Sequence, residues 1–81
     1  MPSQPLDRTV REASGRIVAA LAARFRNLDL AEDALAEASL RAAETWPRDG
    51  LPRDPAAWLY RVAERCVLDA LRRRRRETGF D

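Results

Sequence analysis

Four arginines, Arg61, Arg65, Arg72 and Arg76, recur in the stretch AWLYRVAERCVLDALRRRRR at intervals that bring them to one side of an α-helix. A guanidinium is always charged and presents a rigid fork of donors, so such a row suits phosphate oxygens and unpaired bases rather than bond-making chemistry. A second row, Asp33, Glu37, Leu40 and Glu44, falls on one face of an earlier helical segment and suits a basic protein surface. The two rows share a design, like charges around one outward leucine, Leu68 in the first and Leu40 in the second. Like charges four residues apart cost roughly 0.2–0.5 kcal/mol per pair in an isolated helix. A face that only solvates a helix would mix its signs, so the unmixed rows point to binding surfaces on separate outward flanks of the fold.

Acid–base or nucleophilic catalysis finds no support. The 81 residues include no His; Ser14, Ser39 and Thr45 have no visible base, and Glu32 and Asp33 are sequence neighbours without a pocket to shift a pKa. No residue is assigned a catalytic role, and the chain does not read as an enzyme. A lone Cys66 without histidine excludes a disulfide framework, disfavours a zinc or iron–sulfur site and fits a reducing, cytoplasmic setting. Neither a metal nor another cofactor is expected. No apolar run approaches the roughly 20 residues needed to cross a bilayer, and the start MPSQPLDRTV lacks a basic segment followed by an apolar one.

The net charge of +2 hides a strong asymmetry. Residues 29–45 carry five acids against Arg41 alone, whereas 61–76 carry seven arginines against Glu64 and Asp69. Opposite charge in two segments implies either two partners or one that meets both.

The elements that must position these rows follow from periodicity. Apolar residues make up 46% of the chain, enough for a core in a single domain spanning 1–81. Val10, Ser14, Ile17, Leu21, Phe25 and Leu28 mark a first helix over about 7–27, with Asp7 as its cap and Asn27 as a left-handed stop. Ala31, Leu35, Ala38, Ala42 and Trp46 mark a second over about 30–46, opened by an Asp29–Glu32 capping box and ended by Pro47. A Pro-rich loop, 47–54, precedes a third helix over about 55–78, capped by Asp54 with Pro55 at its first position. Leu59, Val62, Ala63, Cys66 and Ala70 face inward there, and Gly79–Phe80 reads as the closing cap, which places the arginine block in the helix. The expected fold is all-α, a compact bundle of three main helices, the first open to a break into two. Trp46 and Trp58 read as core residues and Cys66 as a buried, inert thiol. Tyr60 falls on the outer side, where it could stack on a base. Asp69 borders the inner face and calls for an arginine partner, Arg24 or Arg16. Arg48 and Arg53 in the loop could form a rim around an extruded base.

The segment LAEDALAEASLRAAETW, the Pro-rich loop and PAAWLYRVAERCVLDALRRRRR together resemble conserved region two of bacterial sigma factors of the extracytoplasmic-function group, over about residues 12–76. The resemblance implies that the acidic helix docks on the β′ clamp helices of core RNA polymerase. It also implies that the later helix recognises and melts the promoter −10 element as single-stranded non-template DNA, with an anti-sigma protein as a further partner. Carried over by motif, Glu32, Asp33 and Glu37 take the acidic positions, Leu35 the core position between them, Trp58 and Leu59 the WL pair, Asp69 the aspartate, and Arg72 and Arg73 the start of the arginine run. Ala36 stands where the family usually has Gln and Arg65 where it usually has Asn, which puts one polymerase contact and one polar contact near DNA in question. Polymerase contacts are thus expected at Glu32, Asp33, Glu37, Leu40 and Glu44. DNA contacts are expected at Arg48, Arg53, Tyr60, Arg61, Arg65, Arg72, Arg73 and Arg76. The family continues into a second, helix-turn-helix domain that reads the −35 element and is absent from these 81 residues, so the sequence is expected to be either a domain excised from a longer chain, the favoured reading, or a degenerate stand-alone copy. A competing reading is a self-association module that pairs the acidic face of one copy with the basic face of another.

Overall fold

The computed structural model describes residues 5–78, which form the expected all-α architecture: α1 (Pro5–Phe25), α2 (Leu28–Asp49) and α3 (Pro55–Thr78). Each helix packs on both others. The central helix contributes small side chains to the core, Ala31, Ala34, Ala38 and Ala42 with Leu30, so its neighbours approach closely. They supply the bulk, Ile17 and Leu21 from α1, and Leu59, Ala63 and Val67 from α3. Full burial of a side chain such as Leu21 stabilises the fold by about 1.5–3 kcal/mol. Val67, beyond the inward residues that the sequence predicts, is fully buried, whereas Cys66, expected to be buried, is only half-buried. Leu28, assigned by periodicity to the first helix, instead opens α2 with its side chain exposed.

The turn between α1 and α2 reverses the expected roles of two residues. Arg26, not Asn27, holds the left-handed position, at φ 58°. The Asn27 N–H donates to the Ala22 carbonyl at 3.3 Å, which closes α1 in a Schellman-type turn. Asn27 is itself extended and caps α2, its side-chain oxygen accepting from the Leu30 N–H at 2.9 Å, the role expected of Asp29. With only two residues to end one helix and start the next, the asparagine serves the cap and the arginine takes the strained angle. α1 begins at Pro5, upstream of Asp7, so Asp7 is not its cap. The Gly79–Phe80 ending lies outside the described residues.

Pro47 does not stop α2, which runs on to Asp49. The ring's fixed φ is helical, and so close to the terminus its missing N–H leaves only the Ala43 carbonyl without a helical donor, on an exposed residue. Termination comes three residues later, where Gly50 adopts φ 97° and its N–H donates to the Trp46 carbonyl at 2.8 Å. The connection shrinks to 50–54. Asp54 then caps α3 as expected, accepting from the Ala57 N–H at 3.1 Å. Trp46 and Trp58 meet edge to face across this connection, 5.2 Å apart at 66°, and fasten the end of α2 to the start of α3.

Candidate nucleic-acid interface

The outward face of α3 assembles Arg61, Glu64, Arg65, Leu68, Asp69 and Arg72 around a shallow cleft of about 490 Å3. Both acids on this face are engaged. Glu64 accepts from Arg24, which reaches over from α1, and Asp69 pairs with Arg72 one turn further on at 3.8 Å. This overturns the expected Asp69 partner: Arg24 meets Glu64, and the Asp69 side chain is about half exposed and needs no inter-helix ion pair. Arg61 and Arg65 consequently have no carboxylate partner among the described residues.

Arg24 donates also to the Tyr60 hydroxyl, at 3.3 Å, and lies over the Phe25 ring. The hydrogen bonds to Glu64 and Tyr60 raise the pKa of its already strongly basic guanidinium. Tyr60 was placed on the outer side by its position, yet it is half-buried and packs against the core, so its ring is not the free stacking surface expected. The signal that would have revealed the arrangement spans 36 and 40 residues of sequence and arises only when α1 docks on α3.

The acidic and basic rows do not occupy separate flanks. Asp33 and Glu37 of α2 line one groove, about 830 Å3 in volume, together with Arg72, Arg73 and Arg76 of α3. Glu37 pairs within its own helix with Arg41, at 3.4 Å, and Arg41 lines the groove as well. Packing α2 against α3 brings one end of each row, rows that look opposed on separate helical wheels, to a common cleft, while Arg61 and Arg65 stay outside it. Cys66 lies in that cleft, where burial above all pushes the thiol pKa up. Arg41 and then Arg73 act against that rise, Glu37 and Asp69 with it.

Glu32, Leu40 and Glu44 remain exposed on α2, Leu40 at 57%. Arg48 falls in the last turn of α2 rather than in the loop and is paired with Asp49 at 3.0 Å. Arg53 is exposed in the shortened connection. Arg53 and Arg76 flank the start and the end of α3, about 30 Å apart by helical rise, so they cannot serve one nucleotide. Trp46, enclosed at its indole nitrogen without a hydrogen-bond partner, lines an open apolar groove with Val10, Ala42, Pro47, Leu51 and Leu59.

The sequence matches the sigma-70 region 2 family over residues 10–77, and the chain belongs to that family. It is also similar to an uncharacterized protein of Rhizobium meliloti (strain 1021), with 49% identity over 75 residues that make up 93% of this chain and 18% of that protein. The chain therefore spans less than a fifth of the length of this curated relative. No solved structure matches it. Among the described residues no helix is long and apolar enough to cross a membrane, and no group of side chains could hold a metal ion.

Proposed function

We propose that this chain is the promoter-engaging domain of a sigma factor of the extracytoplasmic-function type. It docks on the β′ clamp of core RNA polymerase through Asp33, Glu37 and Leu40, flanked by Glu32 and Glu44, and holds the −10 element as single-stranded non-template DNA along α3. Membership of the sigma-70 region 2 family supports this reading. The observation that carries it to particular residues is the pair Arg61 and Arg65, exposed on a stiff helix and free of carboxylate partners among the described residues. Fixed guanidinium groups replace condensed counterions along a strand without first breaking internal ion pairs. Strand opening then needs no bond chemistry. The domain binds unpaired DNA better than duplex, and that difference shifts the equilibrium toward the open form. Arg72, Arg73 and Arg76 extend the phosphate track, Arg53 stands at the loop end beside any extruded base, and such a domain works in the cytoplasm.

The test is capture by core RNA polymerase. The unaltered chain is retained, and the double reversal Asp33→Arg with Glu37→Arg is lost while its melting temperature stays within a few degrees. Retention of the reversed chain would remove the acidic row from the docking surface.

A further inference from the structure

We infer that Leu68 is a base-contacting residue, the apolar platform on which an unpaired nucleobase rests while the arginines around it hold the flanking phosphates. The inference rests on the reading of α3 as a single-strand-binding helix, and it adds a residue to which neither the charge pattern nor the family motif assigns a role. Leu68 is one of four large apolar side chains exposed among the described residues, at 41%, and of these it alone stands among arginines on α3. Its cleft is walled by Arg61, Arg65 and Arg72. Of the acids that border it, Glu64 is drawn off to Arg24 and Asp69 is paired with Arg72 within the cleft, so Leu68 offers an apolar floor and Arg61 and Arg65 the unpaired cationic side.

That combination selects its occupant. A protein partner would have to bring carboxylates to these guanidinium groups, whereas a nucleic-acid strand carries its anions at fixed intervals on either side of each base. A lipid surface requires a broad apolar face, which α3 turns inward. A nucleotide in a single strand has the matching form, a flat, weakly polar ring between two anions. Arg61 and Arg72 stand about 16 Å apart along the helix, with Leu68 between them, room for a few nucleotides. Apolar side chains serve widely as wedges and supports for unstacked bases.

The experiment compares two fluorescently tagged strands of equal length, twelve-residue oligothymidylate and its abasic counterpart, titrated with the 81-residue chain at about 50 mM salt, where phosphate contacts dominate. Leu68→Ala weakens binding of oligothymidylate about three- to tenfold, the loss expected from one or two methylene groups' worth of contact, and leaves the abasic strand unaffected. The salt slope stays the same. Arg65→Ala weakens both strands and lowers the slope by about one unit. Equal losses for Leu68→Ala on the two strands, or none on either, overturn the inference while leaving the single-strand reading intact. If the unaltered chain binds neither strand, that reading falls first and the role of Leu68 with it.

Discussion

Arg24 on α1 and Glu64 on α3 are joined by an ion pair that spans 40 positions of sequence, and the pair is partly open to solvent. An exposed bridge of this kind contributes little to stability. Its effect on charge is larger, because it occupies the one acid that stands a single helical turn from Arg61.

Replacing Arg24 by Gln releases Glu64 to pair with Arg61, three residues before it. Oligothymidylate binding at low salt should weaken about twofold, the scale of one helical ion pair, with little change in thermal melting. Adding Glu64→Gln to the same chain should restore the affinity. Anisotropy titrations of the two single variants and the double variant measure this coupling, and no rescue would show that Glu64 has no influence on the DNA-facing row.

The shared groove makes a second expectation. Asp33 and Glu37 face the same cleft as Arg73 and Arg76 and lower the potential there. Neutralising them, Asp33→Asn with Glu37→Gln, should tighten single-strand binding at about 50 mM salt and lose its effect near 1 M, where the screening length falls to about 3 Å. By reciprocity, a cationic peptide that covers the two acids should strengthen DNA binding by the factor by which DNA strengthens the peptide's. Independent binding of the two would show the groove to be electrically uncoupled.

Two backbone positions should respond to substitution in proportion to their geometry. Gly50 has φ 97° and ψ 159°, and open space where a Cβ would be built, so Gly50→Ala brings backbone strain alone, about 1–3 kcal/mol. Asn27→Ala removes the α2 cap at about 1 kcal/mol. Urea unfolding followed by circular dichroism reads both.

Cys66 supplies a pH dependence. Burial raises its thiol above the ordinary 9.0, so the folded state favours the neutral form. The associated stability is complete below the unfolded value and declines as pH rises through the folded one. The ionisation of Cys66 should thus leave stability unchanged at neutral pH and lower it above about 9, an alkaline loss that Cys66→Ala removes. A disulfide reagent at pH 7.5 should label the folded chain more slowly than the urea-unfolded one.

The three helices were legible because hydrophobic period, Asp54–Pro55 and the glycine-containing break are local signals. Less so were the places where two local rules compete. Pro47 carries a strong stop signal, but in the final turn of a helix a proline forfeits just one hydrogen bond. Asn27 suits both a left-handed stop and a cap, and the two-residue turn leaves it only one of them. The candidate surfaces depend on more distant relations. Helical wheels identify Asp33 and Arg72 as outward, correctly, yet each wheel is silent about the rotation of α2 against α3 that brings the two residues to a single groove. Tyr60 lost its outward assignment for the same reason, through an α1 residue far away in sequence.

The arginine end of α3 projects six exposed residues, 72–77, beyond the last core-packed side chains, Ala70 and Leu71. Its own charges strain against the winding that its position near the helix terminus favours. Anions laid against those final turns should relieve that repulsion, so a strand bound there should register as a gain of ellipticity over dilute buffer.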